Sequence, residues 1–145
     1  MPKVCKNLLV PFTSQQMYSL VNNIEAYPEF LPWCIGTKVH ERSSNQVKAT
    51  LDLGKGPIKH SITTLNTMRP FDEILMQYVA GPFKQCVGKW QFMQQNSGDS
   101  CQVIFEMQYE FNSKLKALTL EPVFAPIANS LVDAFIQRAH QTYAK

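Results

Sequence analysis

His40, His60 and His140 are the side chains with which this chain could move a proton near neutral pH, because imidazole titrates there. They are scattered, and none belongs to an H-x-x-x-H or other metal-spaced cluster. His60 alternates with Ile58 and Ile62, which turns it inward, and a lone inward histidine is more often a hydrogen-bonded core residue than a catalyst. Cys5, Cys34, Cys86 and Cys101 contain no C-x-x-C pair, so they read as reduced, mostly buried thiols rather than zinc ligands. Gly54-Lys55-Gly56-Pro57 lacks the phosphate-loop pattern and reads as a hairpin turn. Glu106 and Glu110 fall on the wet side of an alternating segment, so no carboxylate pair faces inward. No Ser/His/Asp order stands out. The chemistry on offer is therefore binding rather than catalysis, with no metal and no required cofactor.

The residues available for binding are apolar and aromatic. From strand-like segments, Tyr78, Trp90, Phe92, Phe105, Met107 and Tyr109 are expected to face inward. From a long helix, Phe124, Ile127, Leu131 and Phe135 are expected to meet them, and Phe30, Leu31, Trp33 and Phe83 to shape a mouth. Ligand pockets are largely apolar with a few polar groups, which this set matches. The same residues would equally build an ordinary aromatic core.

The elements that must position them are legible from periodicity. Val4–Val10 reads as a strand. Thr13, with Gln16 at the capping-box position, starts a short amphipathic helix through Met17, Leu20, Val21 and Ile24 that ends near Asn22-Asn23. Pro28 and Pro32 limit the next stretch to one helical turn and a bend. From Ile35 to Phe111 the period changes to two, with turns at Ser43-Ser44-Asn45, Gly54–Pro57, Arg69–Asp72, Gly81-Pro82 and Asn96–Asp99. The cleanest alternation is Cys101, Val103, Phe105, Met107, Tyr109 and Phe111. Thr119–Tyr143 reads as one long helix, either regular from Pro126 or kinked from near Glu121, since an internal proline removes a backbone donor. Arg138, His140 and Lys145 near its end complement the helix dipole. A one-sided sheet and a long amphipathic helix bury each other when the sheet curls around the helix, which gives an α+β chain with a single domain over residues 1–145.

In this order of elements the chain resembles the helix-grip fold of the START-like (polyketide cyclase, Bet v 1-like) superfamily. Four words within it resemble the coenzyme Q-binding/ribosome-association toxin family. They are Val10-Pro11-Phe12-Thr13, Tyr27-Pro28-x-Phe30-Leu31-Pro32, Gly81-Pro82-Phe83-Lys84-x-x-x-Gly88-x-Trp90-x-Phe92, and Ala134-Phe135-x-x-Arg138-Ala139. Cys86 stands where that family usually has a leucine. The resemblance implies a curved antiparallel sheet of about seven strands and two short helices after the first strand. It also implies one of two binding functions. The first is binding of ubiquinone in support of respiratory electron transport, with Tyr78, Tyr109 or His60 able to hydrogen-bond a quinone carbonyl. The second is binding to the large (50S) ribosomal subunit, which blocks 70S formation and translation initiation. An enzyme of the cyclase type ranks below both.

Charge is compatible with either. Net charge is +3 and the isoelectric point 8.7, short of the value above about 9 of a dedicated nucleic-acid domain, so DNA is not an expected partner. Lys55, Lys59, Lys84, Lys89, Lys114 and Lys116 are the candidate RNA contacts, against the alternative that they are solvated surface charges. Lys3 and Lys6 precede no long apolar run, and no segment has the roughly 20 apolar residues of a membrane span. The expectation is a cytoplasmic protein that can touch the surface of the inner membrane.

Overall fold

The structure is a computed structural model that describes residues 3–95 and 98–143. Seven strands form one antiparallel sheet: β1 (Lys3–Val10), β2 (Cys34–Arg42), β3 (Gln46–Lys55), β4 (Ile58–Arg69), β5 (Glu73–Ala80), β6 (Phe83–Gln94) and β7 (Cys101–Phe111), in the order β1-β7-β6-β5-β4-β3-β2. β2 to β7 are a meander, as the short turns require, and β1 closes on the far side of β7 with Val4 opposite Met107. Register shifts in β2 at Cys34/Gly36 and Val39/Glu41, and in the β6–β7 ladder at Phe83/Gln85, bend the strands, and the sheet is curved. At the β5–β6 connection Gly81 has φ +148, and a Cβ there would lie 3.0 Å from the Ser61 carbonyl oxygen. A side-chain-bearing residue would fit neither that backbone nor that space.

Between β1 and β2 lie α1 (Ser14–Asn22) and a 3₁₀ segment, Ile24–Glu29. α1 starts at the capping box: Thr13 Oγ1 accepts from the Gln16 N–H at 3.0 Å, and Gln16 Oε1 accepts from the Thr13 N–H at 2.9 Å. Ile24, expected in this helix, belongs instead to the 3₁₀ segment, because Asn23 leaves the helical conformation.

The long helix corrects the sequence reading. α2 runs from Lys114 to Tyr143, a full turn and more before Thr119, with Pro122 and Pro126 inside it. Its start is set by Ser113, whose Oγ accepts from the Lys116 N–H at 3.1 Å. Both prolines are exposed. Their missing N–H groups leave the carbonyls of Leu118 and Pro122 without a partner four residues on, but on a face where water reaches them, so the helix passes through both prolines. The opposite stripe, Leu120, Phe124, Ala128, Val132, Phe135 and Ala139, is buried against the concave side of the sheet. Tyr143 Oη donates to the Gln16 carbonyl at 2.9 Å and Phe12 meets His140 edge-on at 4.9 Å, which pins the C-terminal end of α2 to α1 and to the connection that precedes it. The expected turn residues Asn96 and Ser97, and Lys145, lie outside the described residues.

Candidate ligand cavity

The curled sheet does not close fully on α2. A cavity of about 100 Å³ remains between β3–β7 and the middle of the helix. Strand alternation builds its walls. Cys86, Gly88 and Trp90 come from β6, Phe105 and Met107 from β7, and Leu51, Ile62, Thr64, Asn66 and Met76 from β3, β4 and β5. Phe124, Ile127, Leu131 and Phe135 roof it at helical spacing, and Tyr27 and Trp33 close one end. Gly88 is part of why the void exists: a Cβ there would come within 2.5 Å of Met76 Cε. No carboxylate, histidine, lysine or arginine lines the cavity among the described residues. Cys86 brings the wall's thiol, and burial pushes its pKa up to about 12, so the sulfur facing the void is a protonated, unreactive one.

A smaller cavity of about 30 Å³ adjoins it and shares Leu53, Ile62, Phe124 and Ile127 as walls. It lies between the β3–β4 hairpin, the Pro82-Phe83 turn and the first turns of α2, with Lys55, Ile58 and His60 on the strand side and Leu120 and Val123 on the helix side. Leu115 and Leu118, in those first turns, are 71% and 76% exposed, unusual for leucine and confined to this end of α2.

Of the residues expected at a ligand site, Trp33, Trp90, Phe105, Met107, Phe124, Ile127, Leu131 and Phe135 line the larger cavity. His60 and Phe83 line the smaller one. The others do not reach either void. Leu31 is fully buried just after the 3₁₀ segment, with its N–H bonded to the Tyr27 carbonyl at 2.9 Å. Phe30 packs edge-on against Phe135 at 5.2 Å, and the Arg138 guanidinium sits over its ring at 5.0 Å. Phe92 stacks with Trp90 and meets Tyr18 edge-on. Tyr109 packs against Phe83, Phe111 and Phe124, and its hydroxyl donates to Glu121 Oε1 at 2.9 Å. Burial, and then that carboxylate, raise the Tyr109 pKa above the usual phenol value. Tyr78 spends its oxygen on the Phe83 N–H at 3.0 Å, holding the β5–β6 turn. Neither expected tyrosine therefore presents its hydroxyl to the cavity.

The residues that sequence reasoning passed over are Thr64 and Asn66. They sit on the dry face of β4, in step with Ile62 and Met68, and line the larger cavity. The signal was present: two polar residues at i and i+2 interrupt an otherwise apolar inward series.

The six candidate lysines divide. Lys84 is 3.5 Å from Glu110 and Lys89 is 3.5 Å from Glu73, each a cross-strand ion pair. Lys55, Lys59, Lys114 and Lys116 make no ion pair among the described residues and surround the end of the molecule that carries the smaller cavity. No helix among the described residues is long and apolar enough to cross a membrane.

Comparison with known proteins places this geometry. The chain is 38% identical over 144 residues to a protein named ribosome association toxin RatA from Escherichia coli K12, covering 99% of this chain and 90% of that one. It is 29% identical over 139 residues to a mitochondrial protein named coenzyme Q-binding protein COQ10 from Drosophila melanogaster, covering 94% of this chain and 57% of that longer one. Among solved structures it superposes on the Zhui aromatase/cyclase from Streptomyces sp. R1128 with a TM-score of 0.82 at 12% identity, over 97% of this chain and 94% of that one. It superposes on a START superfamily protein from Mycobacterium smegmatis with a TM-score of 0.79 at 17% identity, over 96% of this chain and 97% of that one. The two solved structures share the helix-grip fold, one of them named as an enzyme. The family model described as polyketide cyclase / dehydrase and lipid transport matches residues 10–136, and the chain belongs to that family.

Proposed function

We propose that this chain is a non-catalytic binding protein that holds a hydrophobic ligand with a ubiquinone-type head group between the sheet and α2, in support of respiratory electron transport. The observation that carries the reading is the apolar, charge-free cavity roofed by Phe124, Ile127, Leu131 and Phe135. A void of about 100 Å³ is smaller than the engineered cavity of about 150 Å³ that takes up benzene, so a substituted quinone ring enters only as the flexible Met76 and Met107 side chains in the wall move aside. An isoprenoid tail has to leave, and the adjoining small cavity gives it a direction, toward the exposed Leu115 and Leu118 and the unpaired lysines. That end would suit peripheral contact with an anionic membrane. The absence of carboxylate, histidine and lysine side chains from the wall among the described residues supports binding over catalysis. The relative named for coenzyme Q binding supports the choice of ligand. The test is organic extraction of protein purified from its native host, with mass spectrometry of the extract. A quinone at near-stoichiometric yield is expected, and a lipid-free protein that also ignores added ubiquinone would overturn the reading.

A second reading, association with the large ribosomal subunit, is favoured by the higher identity and near full-length match to the relative named as a ribosome association toxin. Its surface would be Lys55, Lys59, Lys114 and Lys116 rather than Lys84 and Lys89, which already face carboxylates. Overexpression should then lower the 70S peak on sucrose gradients, and Lys55→Glu with Lys59→Glu should restore it. An unchanged profile for the parent protein overturns this reading.

A further inference from the structure

The inward face of β4 reads His60, Ile62, Thr64, Asn66, Met68, and polar groups stand in its middle, where the wall is otherwise apolar. Asn66 is 8% exposed, the buried polar side chain among the described residues. Its side chain makes one hydrogen bond among them: Oδ1 accepts from Thr64 Oγ1 at 2.9 Å. With Oδ1 engaged by Thr64, the NH₂ group makes no hydrogen bond to another described residue, and Asn66 lines the larger cavity. No buried side-chain nitrogen or oxygen lacks a hydrogen-bond partner among the described residues, so this NH₂ group is open to a water-sized probe, and a ligand acceptor in the cavity can take the place of water there.

We infer that Asn66, held in position by Thr64, anchors the head group of the ligand by donating from Nδ2 to a neutral ring carbonyl. This rests on the reading that the cavity takes a quinone-like ligand, and it adds an orientation and a ligand class. Asn66 lies six residues along β4 from His60, roughly 20 Å at the rise of a strand. The carbonyl end therefore enters first and lies deep, and the tail points back past Ile62 to the smaller cavity at the His60 end. The class is equally constrained. A fatty-acid carboxylate would bury its charge in a wall with no cation among the described residues, whereas a quinone or cyclic ketone needs only the donor that Asn66 offers.

The test uses three probes of matched tail, decylubiquinone, decylbenzene and decanoate, each displacing a fluorescent apolar dye from the purified protein. The parent protein should prefer decylubiquinone to decylbenzene by about five- to tenfold, the worth of one neutral hydrogen bond, and should bind decanoate weakest. In the double variant Thr64→Val/Asn66→Leu that preference should fall to about twofold or less, with affinity for decylbenzene retained or raised. Both hydrogen-bonding partners are replaced by apolar groups of similar shape, so the variant should melt no lower than the parent, and decylbenzene binding reports an intact cavity. A double variant that keeps the full quinone preference overturns the inference while leaving the cavity reading in place. A parent protein that binds none of the probes overturns both.

Discussion

Tyr109 Oη donates to Glu121 Oε1 at 2.9 Å, tying β7 to the residue of α2 that immediately precedes Pro122. This contact lies beneath the part of the helix where two backbone hydrogen bonds are missing, whereas the far end is held by Tyr143 and His140. The first half of α2 is thus the weaker half, and it roofs the smaller cavity. Tyr109→Phe should cost about 1.5–3 kcal/mol, the range of a hydrogen bond to a charged group. The local effect is the diagnostic one: amide exchange should speed up over residues 114–126 and stay unchanged over 130–143. Uniform acceleration along α2 would show that the helix opens as one unit.

Gly88 sets the size of the larger cavity. Gly88→Ala should push Met76 Cε, 2.5 Å from the new Cβ, into the void. Because the displaced atom is the end of a flexible side chain, melting should change by less than about 1 kcal/mol. Quinone affinity should fall at least about tenfold, since a void smaller than the ring has no slack. Unchanged affinity would place the ligand elsewhere.

Alkaline pH should destabilise the chain in a defined window. Burial raises the Cys86 thiol from 9.0 to about 12, so the folded state holds its proton more tightly than the unfolded state. The stability this contributes is fully present below pH 9 and is lost as pH rises from 9 toward 12. Tyr109, raised by burial and Glu121, adds to the loss above pH 10. Cys101, pushed up to about 11, and Cys34, also raised by burial, act in the same window, so Cys86→Val should lower the slope between pH 9 and 10 by about a third in denaturant titrations. At pH 8 alkylating reagents should modify exposed Cys5 and leave Cys34, Cys86 and Cys101 intact until the protein unfolds.

Arg138 joins two segments that are remote in sequence. Its Nη2 lies 2.8 Å from Glu29 Oε1 while its guanidinium covers the Phe30 ring. Glu29 is well exposed, so the ion pair itself contributes little, at most about 1 kcal/mol. The stack should matter as much. Arg138→Lys keeps the charge and loses the planar stack, so it should recover less than half of the stability lost in Arg138→Ala. Full recovery by lysine would assign the contact to charge alone.

Much of this architecture was legible before any coordinates. Strict alternation from Cys101 to Phe111 defined β7, and Thr13 with Gln16 announced α1, because each depends on neighbours in sequence. The start of α2 was not legible, because Pro122 and Pro126 signal a break unless one knows that they face water. The cavity was half legible. Periodicity turns Phe92, Phe105 and Tyr109 inward alike, but only the curvature of the sheet decides which of them meets empty space. Thr64 and Asn66 escaped notice because a Thr-rich strand looks ordinary until its inner face is shown to border a void.

Trp33 and Trp90, the two tryptophans of the chain, both line the larger cavity, which makes intrinsic fluorescence a direct report on its occupancy. Titration of the delipidated protein with a short-chain ubiquinone should quench that emission saturably at one equivalent, and Gly88→Ala should move the saturation to at least about tenfold higher ligand concentration. A linear, non-saturating decline, the same in both proteins, would contradict the claim that the cavity holds a quinone-like ligand.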